Sequence, residues 1–308
     1  MEKRRLGRSD LEVSLVGLGT NNFGRRMDLV AARPVIHKAL DLGITHIDTA
    51  DTYGGGGGSE TIIGEVLGSR RSEIVLATKF GMQLAGSHVA RRGARGYVLS
   101  AVEASLKRLK SEWIDLLWMH EPDPRTPIED TFAAIEELRE AGKVHHLGAS
   151  NFSQAQLDRA AASAERMGIA GFVACQDEYS LLDRGIERKL YPMMESHGLG
   201  LVPYFPLAGG ALTGKYRKNR AFPQGTRLGP GSDRFSEPNW VKIEKLASLA
   251  EAQGRTLLDL AMSWLAHRPL VASIIAGATK TEQVEANARS VEWAMTGEEI
   301  TEIDRLTL

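Results

Sequence analysis

Eight short apolar runs punctuate the chain. They are LVGLGT from Leu15, THIDTA from Thr45, IVLATK from Ile74, IDLLWM from Ile114, HHLGAS from His145, FVACQ from Phe172, LGLVPY from Leu199 and VASIIAG from Val271. Each is close to continuously apolar, the pattern of parallel strands buried on both faces. The first seven recur mostly at about thirty residues, the length of one strand–helix unit. Between them lie helical faces: Val98, Val102, Leu106 and Leu109, then Ile128, Phe132, Ile135 and Leu138, and later Ile243, Leu246, Ala247 and Ala250. Gly43, Gly142 and Gly198 supply helix stops. Strand and helix alternating eight times predict an α/β chain folded as a (β/α)8 TIM barrel, with residues 1–308 forming one domain. Three segments exceed the minimal barrel. Residues 2–14 (RRLGRSDLEV within them) read as an N-terminal β-hairpin able to plug the barrel floor. Residues 207–238 form a long Gly/Pro/Arg-rich loop after the seventh strand, a length typical of a functional lid. TEQVEANARSV and GEEITEIDRL add C-terminal helices.

Composition narrows the setting. With 308 residues, 43% of them hydrophobic, there is material for one large core. A net charge of −1 gives no general attraction to nucleic acid or an anionic membrane. A single cysteine, Cys175, excludes an internal disulfide and fits a reducing compartment. The charged opening MEKRRLGRSD has no apolar core of a secretory signal. The least polar stretch, GLGLVPYFPLAGGAL, is broken by Pro203 and Pro206 and reads as strand plus loop. A cytoplasmic protein with no membrane and no nucleic-acid partner is expected.

Candidate chemistry sits at one end of the runs. Asp48, Tyr53, Lys79 and His120 lie at or just past the C-terminal ends of the second, third and fourth, in HIDTADTYG, VLATKFG and LLWMHEPD. Barrel active sites are built at that end. Singly, a lysine there is ordinary surface charge and an aspartate is a hydrogen-bonded structural group. Jointly, four titratable groups converging from three strands are costly without a use. A phenol beside an ammonium that is itself paired with a carboxylate can donate a proton, which is equipment for reducing a carbonyl. His46 and Trp118, two residues before Asp48 and His120, read as core packing. His145 and His146 lack metal-site spacing, and Cys175 faces the helix layer. Phe23, Phe80, Met82, Phe205 and Trp240 are candidates for an apolar substrate wall. Gly54–Gly58 do not form a G-x-G-x-x-G fingerprint and read as a flexible turn. Thr279 and Glu282 have capping-box spacing at the start of a helix after strand eight, where an anion would be favoured and Lys280 adds charge.

Almost end to end, the chain resembles the aldo-keto reductases. GITHIDTADTYG with SETIIGEVL is similar to the family's first signature and VEASLKRLKSEWIDLLWMH to its second. ATKFG, GASNF, CQDEYSLLDR, PLAGGALTGKY and GATKTEQVEAN are similar to further segments in family order. The branch it most resembles holds bacterial aldehyde reductases and potassium-channel β-subunits. The resemblance implies NADPH/NADP+-dependent reduction of small aldehydes or ketones. It makes Tyr53 the proton donor, with Lys79 lowering its pKa, Asp48 holding Lys79, and His120 orienting the carbonyl. It places Ser150, Asn151 and Gln176 at the nicotinamide carboxamide, Tyr204 on the nicotinamide ring, and Leu207 with Lys215 near the pyrophosphate. Gly277, Thr279, Lys280, Gln283 and Asn287 fall to the adenosine end. Gln283 stands where many NADP-preferring members carry arginine, and Gly277 where they carry lysine. Two other readings compete: a cofactor-binding redox sensor or regulatory subunit with incidental reductase activity, and an aldolase forming a Schiff base on Lys79.

Overall fold

The computed structural model describes residues 1–83 and 88–308, and all eight apolar runs contribute strands to it. The N-terminal strands β1 (Lys3–Arg5) and β2 (Glu12–Ser14) pair antiparallel, Lys3 opposite Ser14, as the expected hairpin. The main sheet is formed by β3 (Val16–Gly19), β4 (His46–Asp48), β5 (Val75–Phe80), β6 (Ile114–Met119), β7 (Val144–Ser150), β8 (Phe172–Gln176), β9 (Gly200–Leu201) and β10 (Ile274–Gly277). Its order is β10-β3-β4-β5-β6-β7-β8-β9, and every neighbouring pair is parallel. The two edges then meet. Leu201 N–H donates to the Leu270 carbonyl at 2.7 Å, and Ala272 N–H to the Leu201 carbonyl at 2.9 Å. The sheet therefore curls onto itself as a (β/α)8 barrel.

Helices occupy the connections. They are α1 (Leu29–Asp41), α2 (Tyr53–Gly56), α3 (Gly58–Leu67), α4 (Arg95–Leu109), α5 (Ile128–Glu140) and α6 (Gln154–Met167), then α7 (Gly185–Lys189), α8 (Tyr191–Ser196), α9 (Glu237–Ala252), α10 (Leu257–Ala266), α11 (Thr281–Arg289) and α12 (Gly297–Thr307). Their starts have local causes. Ser153 and Gln156 close a capping box on α6, as do Thr256 and Asp259 on α10 and Thr296 and Glu299 on α12. The apolar faces read from the sequence are buried on α4 and α9, and on α5 apart from the half-buried Ile128.

Two apolar layers result. One lies between sheet and helices and contains Cys175. The other fills the barrel with Ala77, Leu116, Trp118, Val173, Ala174, Val202, Ala272 and Ile275, closed by Leu6 and Val13 from the hairpin. Trp118 fits only because residue 148 is glycine: a Cβ there would lie 2.2 Å from the indole. The 207–238 segment has its own order. Short 3₁₀ turns form at Ala208–Thr213 and Asp233–Phe235. The rings of Tyr216, Phe222, Phe235 and Trp240 cluster with centroids 4.8–6.4 Å apart. That cluster anchors the segment's ends and leaves residues 224–227 against the mouth of the barrel.

Candidate active site

At the C-terminal end of the barrel, the ends of β4 and β5 bring two opposite charges together in the interior. Lys79 donates to the Asp48 carboxylate and, at 2.8 Å, to the Thr49 carbonyl. Gln176 at the end of β8 donates to the other Asp48 oxygen at 2.9 Å. Lys79 and Asp48 are nearly fully buried, so each needs the other. Tyr53 lies above them, with the Lys79 ammonium 5.1 Å from its ring centroid. The His120 ring meets Tyr53 edge-on at 6.1 Å.

Tyr53 is held by a turn only glycine can make. Gly54, Gly55, Gly56 and Gly57 have successive φ of 70, 80, 95 and 97°. The turn is pinned and not merely flexible: a Cβ on Gly57 would fall 2.3 Å from Arg108 Nε. Arg108 in turn donates to buried Glu60 at 2.6 Å, and Glu60 accepts from Thr78, the neighbour of Lys79, at 2.5 Å. On the other side, Thr49, Ser59 and Thr20 pass hydroxyl bonds of 2.9 Å to one another, and Thr20 bonds the Asp48 carbonyl at 2.9 Å. Glu60, Arg108 and the three hydroxyls were not singled out from the sequence; the signal was there as SETIIGEVL, where Ser59 and Glu60 sit on the apolar face of α3.

Charge states follow from burial. Burial pushes the Tyr53 hydroxyl up, outweighing the downward pull of the Lys79 charge, so the expected net lowering by Lys79 is not what the structure shows. Burial also disfavours the Lys79 charge, but Asp48 and Tyr53 together outweigh it and the ammonium is kept above its usual range. Burial, then the Lys79 charge, lower His120 to about 3, so its imidazole is neutral at physiological pH.

Asp48, Tyr53 and His120 line the head of a cleft of about 760 Å³ across the barrel mouth. Ser150, Asn151, Gln176 and Tyr204 line it next. Asn151 donates to the His120 carbonyl at 3.0 Å and to Ser150 Oγ at 3.1 Å, and accepts from the Tyr204 hydroxyl at 2.9 Å. Leu207 and Lys215 follow, flanking Gly209 and Gly210, whose φ of 70 and 112° turn the backbone at the cleft wall. Gly277, Thr279, Lys280, Gln283 and Asn287 line the far end. The cap there differs from the expected one. The chain stays extended through Lys280, which becomes the N-cap, so Gln283 and not Glu282 stands at the third helical position. Its amide oxygen accepts from the Thr279 N–H at 2.7 Å and hydroxyl at 3.2 Å.

Of the apolar wall candidates, Met82 and Phe205 line the cleft. Phe23, Phe80 and Trp240 do not; they are buried in the core between sheet and helices. His46 is fully buried, with Nδ1 2.9 Å from Ser273 Oγ and Nε2 unpartnered. Residues that the sequence did not flag add charge: Arg26 from the loop after β3 and Arg227 from the 207–238 segment. Arg26 donates to the Gly225 carbonyl at 2.8 Å, and Arg227 lies 4.9 Å over the Phe205 ring. Among the described residues, the cleft is lined by four cations (Arg26, Lys215, Arg227 and Lys280) and one carboxylate, Asp48, which is already paired. No group of three or more metal-ligating residues occurs among them, and no helix is long and apolar enough to cross a membrane.

A parallel barrel with these side chains at its C-terminal mouth defines an oxidoreductase class, and comparison gives the family. The aldo/keto reductase family model matches residues 15–307, and the chain belongs to that family. It is 37% identical to the uncharacterized oxidoreductase YrpG of Bacillus subtilis, over 95% of this chain and 91% of the relative. It is 33% identical to a probable voltage-gated potassium channel subunit beta of Arabidopsis thaliana, over 95% and 92%. It is 30% identical to the L-glyceraldehyde 3-phosphate reductase of Escherichia coli, over 99% and 92%.

Proposed function

We propose that this protein reduces small aldehydes or ketones to alcohols with NADPH, in the cytoplasm. The observation that carries the reading is the buried Asp48–Lys79 pair with Tyr53 and His120 beside it, at the head of a cleft rich in unneutralised cations. The cleft fits the cofactor: NADPH bears roughly four negative charges at neutral pH, two more than NADH. Its extra phosphate suits Lys280 at the start of α11, where backbone N–H groups and a full charge coincide. When bound, the nicotinamide supplies the hydride.

The chain's own residues do the rest. Neutral His120 can donate a hydrogen bond to the substrate oxygen and polarise it without giving up a full proton. The Tyr53 hydroxyl, kept protonated by burial, is the proton source. Lys79 stabilises the phenolate that proton transfer leaves, and Asp48 keeps Lys79 charged and in place. Ser150, Asn151 and Gln176 supply the polar partners for a carboxamide, and Tyr204 an aromatic face for its ring. The protonated, carboxylate-bound Lys79 is a poor nucleophile, which argues against a Schiff-base aldolase. Relatives named as channel subunits make a regulatory role the alternative.

Turnover decides between them. NADPH oxidation followed across a panel of aldehydes, ketones and quinones should show steady-state reduction of at least one class. Stoichiometric oxidation without turnover on every substrate would leave only the cofactor-binding role.

A further inference from the structure

One carboxylate outside the cleft is tied to the supports of both Tyr53 and Lys79. Glu60 lies in the first turn of α3 and is fully buried. Its two oxygens face different elements. Oε1 accepts from the Thr78 hydroxyl at 2.5 Å, and Oε2 from Arg108 Nε at 2.6 Å. Thr78 precedes Lys79 on β5, so strand alternation sets its side chain on the helix side while Lys79 enters the barrel. Arg108, near the end of α4, packs on the glycine turn that carries Tyr53. A Cβ on Gly57 would fall 2.3 Å from its Nε and 2.4 Å from its Cδ. Glu60 therefore joins the strand behind Lys79 to the turn behind Tyr53.

The surroundings hold this arrangement closely. Gly64 lets α3 and α4 meet, since a Cβ there would lie 2.4 Å from the Arg108 carbonyl. Ser105 Oγ accepts from the Arg108 guanidinium at 3.2 Å. Beside Glu60, Ser59 accepts from the Thr49 hydroxyl at 2.9 Å, and the Thr49 carbonyl accepts from Lys79 at 2.8 Å. Stability alone is a weak reason for a buried ion pair. Desolvation offsets much of the attraction, and apolar side chains of similar volume often serve as well. Hydrogen bonds from a carboxylate fix direction and distance, which apolar packing does not.

We propose that Glu60 is a positioning residue that sets the distance between Tyr53 and Lys79, acting through Arg108 on one side and Thr78 on the other. The proposal rests on the reading of Tyr53 as proton donor and of Lys79 as the charge that stabilises its phenolate. Glu60 lies outside the cleft lining and is assigned no contact with substrate or cofactor.

Thr78→Val makes the cleanest cut, because it keeps the shape and leaves Glu60 paired with Arg108. Its kcat on an aldehyde should fall at least about tenfold; misplacement by about 1 Å can cost about 100-fold. KM and NADPH affinity should not change. Thr78→Ser, which restores the hydroxyl, should recover most of kcat. In a Glu60→Leu protein the Thr78→Val change should add nothing, since the hydroxyl acts only through Glu60. In a Tyr53→Phe background, measured in single turnovers, the Thr78→Val penalty should vanish, because no hydroxyl remains to be placed. Should Glu60→Leu not fold, the Thr78 variants and the Tyr53→Phe background still decide. Wild-type kcat in Thr78→Val overturns the inference alone. So does an equal penalty in the Tyr53→Phe background, which marks general damage, or a Thr78→Ser protein as slow as Thr78→Val. If the wild-type protein reduces no carbonyl, the proton-donor reading and this inference fall together.

Discussion

Tyr53 and Lys280 are the two side chains whose single replacement says most. Tyr53→Phe keeps the ring that packs on His120 and Lys79 and removes only the hydroxyl. Reduction should fall by at least about 10²-fold, the low end for a general acid, with NADPH affinity little changed. Near wild-type kcat on an aldehyde the wild type reduces would refute the role. Lys280 is an extended N-cap with no side-chain cap of its own, free to meet a phosphate. A charge-assisted contact there is worth roughly 1.5–3 kcal/mol, or about 10- to 150-fold in affinity. NADPH should therefore bind more tightly than NADH by that order, and Lys280→Met should weaken NADPH alone. Gln283 cannot substitute: its amide NH2 can donate a neutral hydrogen bond to a phosphate but brings no charge. Fluorescence titration of both cofactors into both proteins checks this; equal weakening of the two cofactors would count against it.

Among the elements, the 207–238 segment is the one with a divided character. An aromatic cluster anchors Tyr216, Phe222 and Phe235 to α9, while Gln224–Arg227 lie on the cleft and Arg26 reaches Gly225 across its mouth. The cleft-side stretch should become protected when the dinucleotide binds beneath it, and the anchored ends should not change. Hydrogen exchange with and without NADPH measures this; identical protection of 224–227 in both states would exclude a closing strap. If closure is slow, release and not chemistry limits turnover.

At the scale of the whole molecule, stability depends on a barrel interior that mixes apolar filling with buried ionisable groups. Trp118 is fully buried and fills the space left by Gly148, so Trp118→Ala should cost about 3–5 kcal/mol, read as a shift in the urea midpoint. His46 adds a pH term. Burial lowers it from 6.5 to about 4, so between those values the unfolded chain binds a proton that the fold refuses. Its contribution is intact above pH 6.5 and is lost as pH falls toward 4. Asp51 and Asp177, raised by burial to about 7, act with the opposite sign as pH rises from 3.8. The His46 effect is thus visible as a difference: His46→Asn should lose less stability than wild type on acidification from pH 6.5 to 4. Parallel stability curves for the two proteins would contradict the buried, neutral histidine.

Much of this was legible from residue order alone. Strands buried on both faces must be apolar throughout, and helices that cover them must be apolar on one side. Periodicity therefore announced the eight strands, the principal helices and the hairpin plug, and the ends of the runs named Asp48, Tyr53, Lys79 and His120. The family signatures were equally local. What tertiary structure alone decided concerns groups that meet across long separations. The Glu60–Arg108–Thr78 bonds join three elements that periodicity treats as independent. Phe23, Phe80 and Trp240 carry no local sign of pointing into the core and not the cleft. Arg26 and Arg227 become one cationic wall only when the barrel brings the first loop beside the seventh. The net direction of the Tyr53 shift depended on weighing burial against a neighbouring charge, and burial is a property of the packed chain, not of its residue order.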